Sequence, residues 1–150
     1  MVTIRYVTAQ DSVFWFRLDR HLSPEEWQKK VRDRMGYVLL AEDRPVGLLR
    51  YQLFWDAIPF CTMLHIEEDC QRRGYGRQLM AHWEQDMRTQ GYGMVMTSTR
   101  ADETAQHFYR QLGYVDAGGL LIQIPPYQQP TELFFVKDVG LPFLNGCPMV

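Results

Sequence analysis

The chain has 150 residues, 46% of them hydrophobic and 23% charged, with a formal net charge of −2. That length suits one compact core, and the composition excludes a disordered chain. The slightly acidic balance excludes a general nucleic-acid footprint, which shows as a strongly basic face, so no nucleic-acid partner is expected.

In chain order, "TIRYVT" (Thr3 to Thr8) alternates and is rich in β-formers, and "AQDSVFWFRLDRHL" then places apolar residues at helical spacing. Ser23 reads as the N-cap of a second helix, with Pro24 at its first position, Glu25 and Glu26 in its first turn, and its end between Met35 and Gly36. "YVLLAEDRPVGLLRYQLFW" reads as two strands joined at "EDRP", with Asp43 and Pro45 as turn residues. "PFCTMLHI" (Pro59 to Ile66) is a further strand, followed by a helix from Gly76 to Gly91 and a strand over "GMVMTST". A helix over "ADETAQHFYRQLG", ending at Gly113, and strands over "GLLIQI" and "TELFFVK" complete the pattern. No repeat, linker or low-complexity segment interrupts it, so a single domain over 1–150 is expected, with a core of about residues 2–138 and a C-terminal tail at 139–150.

Cys61, Cys70 and Cys147 are odd in number and lack the paired spacing of a zinc or redox site, so reduced thiols and no metal are expected. The start "MVTIRYVTAQD" has no apolar run behind a basic segment, and no window reaches the length of a membrane span. A cytoplasmic protein without a membrane partner is the expectation.

"CQRRGYGRQLM" (Cys70 to Met80) sits at a strand-to-helix junction, where the first N–H groups of a helix lack intrahelical partners. Gly74 and Gly76 let the backbone curl, the helix dipole adds partial positive charge, and Arg72, Arg73 and Arg77 add full charges. A dinucleotide fingerprint fails, since its third glycine is Leu79 here, and the Gly-Lys-Ser/Thr of a Walker A loop is absent. On the loop alone two readings stand: a phosphate cradle, or a helix entry with a solvated basic face.

"AQHFYRQLGY" (Ala105 to Tyr114) adds a second segment, with Tyr109 in the last turns of a helix. Together with "QRRGYG" it resembles the two signature segments of the GCN5-related N-acetyltransferase (GNAT) family, Q/R-x-x-G-x-G/A and A-x-x-F/L-Y-x-x-x-G-F/Y, and the order of elements is similar over most of the chain. The resemblance implies an α/β fold of α+β type: a central mixed, mostly antiparallel sheet of about six to seven strands, flanked by about four helices, with a splayed cofactor cleft. It implies acetyl-CoA as co-substrate, with the main chain of Ile66, Glu67 and Glu68 meeting pantetheine and thioester. Gln71, Arg72, Arg73, Gly74, Tyr75, Gly76 and Arg77 would wrap the pyrophosphate, and Tyr109 matches the family's usual general acid.

The implied activity is acetyl-CoA-dependent N-acetyl transfer to a primary amine of a small molecule or peptide, by direct attack in a ternary complex. A phenol, with a reference pKa near 10, is matched to protonating the departing thiolate. Where relatives carry a Glu or His base, this sequence has Phe60 and Thr62; Asp56, His65 and Glu67 are the nearby candidate bases, each with a plain structural alternative. Asp102 stands where many relatives have an asparagine that contacts the cofactor, and an ionised carboxylate cannot donate. Phe14, Trp15, Trp27, Tyr51, Phe54 and Trp55 supply core and acceptor-pocket aromatics, suited with Asp56 to a cationic amine. A non-catalytic acyl-CoA-binding module and a phosphate-ligand regulator are the alternatives, and a monomer or homodimer is expected.

Overall fold

The computed structural model describes residues 1–140; Cys147 and all but the first two residues of the expected tail lie outside them. Among the described residues the strands are β1 (Val2–Tyr6), β2 (Gly36–Ala41), β3 (Arg44–Phe54), β4 (Ile58–Ile66), β5 (Met94–Arg100), β6 (Val115–Leu120) and β7 (Glu132–Asp138). The α-helices are α1 (Ser12–Leu18), α2 (Pro24–Asp33), α3 (Tyr75–Thr89) and α4 (Ala105–Gln111), with single 3₁₀ turns at Ala9–Asp11 and Glu68–Cys70. This is a mixed α/β fold whose sheet is mostly antiparallel.

The chain forms two compact units, the first made of Met1–Gln52 and Cys61–Gln85, the second of Leu53–Phe60 and the residues from Asp86 onward. In the first, the strand order is β1-β2-β3-β4. Strand alternation gives that sheet two apolar faces. Val38 and Leu48, which are register partners, face Phe14 and Trp15 of α1 and Trp27 of α2. The neighbouring positions Tyr37 and Tyr51 turn the other way, toward His82 and Trp83 of α3, with ring centroids 5.4 Å and 5.9 Å apart in the pairs Tyr37–His82 and Tyr51–Trp83. Helix α2 begins as its sequence dictates: the Ser23 side chain accepts from the Glu26 N–H at 3.1 Å, and Pro24 occupies the first helical position. It ends at Asp33, with Arg34 left-handed at φ 57°, so Gly36 is already strand rather than helix stop.

The β2–β3 turn is tighter than "EDRP" suggests. Glu42 and Asp43 both have positive φ (50° and 64°), the signature of a two-residue hairpin turn whose twist matches its strands. Pro45 is therefore a strand residue opposite Leu40, beside the register shift between Leu39 and Leu40, where a missing N–H is tolerated.

In the second unit the strand order is β4-β5-β7-β6. Phe135 of β7 faces Tyr109 of α4, whereas Phe134 and Val136 face the opposite side with Ile58, Phe60 and Met96. Strand β6 lies at Val115–Leu120 rather than over "GLLIQI": only its last two residues belong to that apolar run, and every residue of β6 is exposed. An edge strand without a buried face carries no alternation for a sequence reading to detect.

Candidate functional site

The first unit carries the glycine and arginine loop. It follows β4 and the 3₁₀ turn and ends at the first turn of α3, whose first helical bond runs from the Gln78 N–H to the Gly74 carbonyl at 3.0 Å. Arg72 and Gly74 both have positive φ, 66° and 82°, so the chain curls twice within three residues. A Cβ built on Gly74 would meet nothing within 4 Å, so glycine is needed there for its backbone conformation and not for want of space. Among the described residues, none of the main-chain N–H groups from Arg72 to Arg77 has an acceptor. Arg72, Arg73 and Arg77 are exposed, and among the described residues none has a carboxylate within ion-pair distance, whereas Arg5, Arg17, Arg32, Arg50, Arg100 and Arg110 all do. N–H groups without acceptors, guanidinium groups without carboxylate partners and the start of a fifteen-residue helix fit an anionic phosphate group.

The end of β4 is fixed from two sides. Gly47 of β3 approaches it so closely that a Cβ there would lie 2.6 Å from Ile66 Cδ1 and 3.3 Å from Leu79 Cδ1. The Glu67 N–H donates to the Val46 carbonyl at 2.8 Å, and the Gln71 side-chain amide donates to the Ile66 carbonyl at 3.0 Å. A carbonyl has two lone pairs, so Ile66 keeps acceptor capacity, while the single Glu67 N–H is already in use. The Glu68 N–H has no acceptor among the described residues.

The three candidate bases are placed differently. Glu67 is ion-paired with Arg17 of α1. His65 is a half-buried β4 residue whose carbonyl lies toward Gly47. Asp56 belongs to the second unit, in the exposed two-residue turn between β3 and β4, with φ 59°. Of the two positions where relatives carry a base, Phe60 is a core ring of the second unit. Thr62, in the first unit, accepts from Arg50 Nη1 at 2.9 Å.

That contact belongs to a network sequence reading did not single out. The Asp19 carboxylate, fully buried, accepts from Arg50 Nε at 2.7 Å, from the Trp15 indole at 3.1 Å, and from the His21 and Leu22 main-chain N–H groups at 3.1 Å and 3.3 Å. Burial works to raise its pKa, but these donors, Arg50 first, outweigh burial and hold it below the ordinary value. Lys30 lies beside the network and donates to the Tyr51 carbonyl at 2.6 Å; burial and the Arg50 charge push its pKa down.

In the second unit, Tyr109 is 6% exposed near the end of α4, among Phe108, Tyr114 and Phe135 at centroid distances of 5.4, 5.8 and 6.1 Å. The helix end is locked by bonds from the Tyr114 N–H to the Tyr109 carbonyl and from the Gly113 N–H to the Arg110 carbonyl, both 3.1 Å. Arg110 stacks over Phe135 and grips Asp116 through two bonds of 3.0 Å. Asp102 receives two bonds from Arg100, at 3.2 Å and 2.9 Å, so its carboxylate is already partnered within its own loop.

The sequence pattern of the acetyltransferase (GNAT) family matches residues 5–114, most of the chain, and both motif segments fall within it. The chain belongs to the GNAT acetyltransferase family. GNAT acetyltransferases use acetyl-CoA and act on amines. No curated protein matches the sequence. Solved structures with this fold include the alanine N-acetyltransferase of a ribosomal protein from Escherichia coli, at 19% identity and TM-score 0.78, covering 97% of this chain and 98% of that one. Ard1 from Thermoplasma volcanium is similar at 19% identity and TM-score 0.80, covering 93% and 99%. A GNAT family acetyltransferase from Elizabethkingia anophelis with acetyl-CoA bound is similar at 15% identity and TM-score 0.71, covering 91% and 97%. At such identities these neighbours bear on the fold alone. Among the described residues no helix is long and apolar enough to cross a membrane, and no group of His, Cys, Asp and Glu is arranged to hold a metal.

Proposed function

We propose that this GNAT acetyltransferase moves the acetyl group of acetyl-CoA to a primary amine of a small molecule or peptide, the amine attacking the thioester directly in a ternary complex. The carrying observation is the loop of Gln71–Arg77: among the described residues its N–H groups from Arg72 to Arg77 lack acceptors, and Arg72, Arg73 and Arg77 lack carboxylate partners. Acetyl-CoA brings an activated thioester, and the chain's own residues supply anchoring and proton transfer. The loop N–H groups and Arg72, Arg73 and Arg77 hold the pyrophosphate. The main chain of Ile66 to Glu68 lines the pantetheine, and the Glu68 N–H is the donor left over to polarise the thioester carbonyl. Tyr109 donates the proton that the departing thiolate takes up, ending as a phenolate that solvent reprotonates.

Glu67 is held by Arg17, and its use as a base would require breaking that pair. His65 and Asp56 are the other two proton acceptors; for an amine that arrives neutral, the proton its nitrogen sheds on forming the amide passes to solvent or to the Tyr109 phenolate. Protein of this sequence handles its substrate as a reduced-thiol, cytoplasmic enzyme in this reading.

Calorimetry with acetyl-CoA, paired with thiol release from a panel of amines, tests the assignment. Saturating acetyl-CoA is expected to bind and raise the melting temperature by mass action, with NAD and ATP doing much less. Gly76→Asp is expected to abolish most of that affinity in a folded protein, because it sets a carboxylate against the pyrophosphate. An unchanged affinity in folded Gly76→Asp, or an equal response to NAD, would overturn the loop assignment.

A further inference from the structure

The second unit holds a cavity of about 430 Å³ on the sheet face away from α4. Its walls are Phe54, Trp55, Ile58, Met94, Met96 and Phe134, and none of its lining side chains is charged or carries a hydrogen-bonding oxygen. Ala117 and Gly119 of β6 border it, and the methyl group of one and the bare Cα of the other take up little of it. That size falls within the range of small-molecule sites, which run from about 300 to 1,000 Å³.

Trp55 is 75% exposed, meets the Phe54 ring at a centroid distance of 4.9 Å and a tilt of 42°, and sits with Asp56 in a two-residue turn where both φ values are positive, 55° and 59°. Asn-Gly or Asp-Gly is the favoured pair in such a turn, and a bulky aromatic at positive φ is strained. A large ring thus lines the cavity from a position that a small residue would occupy with less strain. Leu120, 46% exposed, also lines the cavity.

We propose that this cavity is a binding site for a neutral, planar aromatic group. Ring walls favour offset or edge-on aromatic contact, and the Met94 and Met96 thioethers add sulfur–aromatic contacts. A charged group would lose its hydration without gaining a partner, which selects against ions. The aromatic group belongs either to the acceptor amine or to a separate ligand, and the two sources are separable by kinetics. Only the first of them rests on the acetyl-transfer reading.

The test uses the full chain labelled with ¹³C at methionine methyl groups, titrated with indole. The Met94 and Met96 methyl signals are expected to shift saturably, while those of Met35 and Met80 in the first unit stay in place. Ala117→Leu, at an exposed position, is expected to keep the melting temperature and weaken indole binding by about tenfold or more, since the added side chain enters the cavity. Trp55→Ala, also exposed, should weaken it as well, and indole-3-acetate should bind at least about tenfold more weakly than indole because its carboxylate is left unpaired. An indole-dependent rise in KM for an aryl amine assigns the site to the acceptor; saturable binding with an unchanged KM assigns it to a separate ligand. Absence of Met94 and Met96 shifts at millimolar indole, or equal affinity in folded Ala117→Leu, would overturn the proposal. Shifts that depend on protein concentration without indole, and are insensitive to indole, would overturn it in favour of a second copy covering this face.

Discussion

Arg50 Nε lies 2.7 Å from Asp19 Oδ2, joining the chain just after α1 to the middle of β3, with the carboxylate wholly out of solvent and the guanidinium side chain 11% exposed. The same carboxylate also caps the His21 and Leu22 N–H groups, so one side chain sets the α1–α2 connection onto the sheet of the first unit. Removing one partner of a buried pair strands the other, at a cost of about 3–5 kcal/mol. Asp19→Ala is therefore expected to lower the urea midpoint strongly, with Asp19→Asn intermediate. Equal midpoints for wild type and Asp19→Ala would show the pair to be energetically idle.

The pH dependence follows from the same group. Burial disfavours ionised Asp19, but Arg50 and the other donors more than offset it, and the folded pKa falls below the ordinary 3.8. Asp11 behaves alike: burial opposes its charge, and the Arg5 bonds at 2.8 Å and 2.9 Å, joined by the Thr8 N–H and hydroxyl and the Arg5 charge, together outweigh burial. A depressed folded pKa gives stability that is complete above the unfolded value and is lost as pH falls through the folded one. Unfolding free energy is expected to decline below pH 3.8, and Asp19→Asn should flatten that decline. A slope identical in both proteins would remove Asp19 as its source.

The loop makes a third expectation. Gly74 at φ 82° has open space around it, so Gly74→Ala meets no clash and still forces a left-handed alanine, which costs about 1–2 kcal/mol. Gly74→Asn is expected to lose less stability, because asparagine tolerates that region. Denaturant midpoints of the two variants check the order, and a more stable Gly74→Ala would contradict it.

These features differ in how far the sequence announces them. The loop was legible because its message is local: Gly74, the arginines and the start of α3 lie within a few residues, and the helix start itself creates the unpaired N–H groups. The helix end that carries Tyr109 was legible for the same reason, by the spacing of Gly113 and Tyr114 after it. Arg50 and Asp19 are 31 residues apart, and nothing in either's neighbours names the other; only folding of α1 onto β3 brings them together. The same holds for Glu67, whose acidic cluster reads as a solvated turn until α1 delivers Arg17 to it, 50 residues away in sequence. The position of β6 was missed because an exposed edge strand has no apolar period, and the apolar "LLI" beyond its start drew the expectation onward.

Arg17 and Glu67 give a fourth expectation. Their pair is partly exposed, with side-chain accessibilities of 57% and 19%, and an exposed pair contributes on the order of 0–1 kcal/mol. Arg17→Ala should therefore change stability little. If Glu67 is the base, freeing its carboxylate should alter the pH profile of kcat/KM on an amine acceptor, whereas Glu67→Gln should depress the rate itself. An unchanged rate and profile in both variants would remove Glu67 from proton transfer and leave His65, Asp56 or a neutral amine.

Tyr109 carries the last expectation. Tyr109→Phe keeps the ring among Phe108, Tyr114 and Phe135 and removes only the hydroxyl. A general acid is typically worth about 10²–10⁴-fold in rate, so kcat is expected to fall on that order while acetyl-CoA affinity and the melting temperature barely move. A purely structural hydroxyl makes the reverse forecast: about 1 kcal/mol of stability lost with its hydrogen bond, and an unaltered rate per folded molecule. Tyr109→Ala cannot separate the two, because emptying a buried aromatic position costs about 3–5 kcal/mol by itself. Measuring kcat and the unfolding midpoint of Tyr109→Phe on the same preparation decides between the roles. Lost stability with unchanged turnover would take Tyr109 out of the chemistry and leave water to protonate the thiolate.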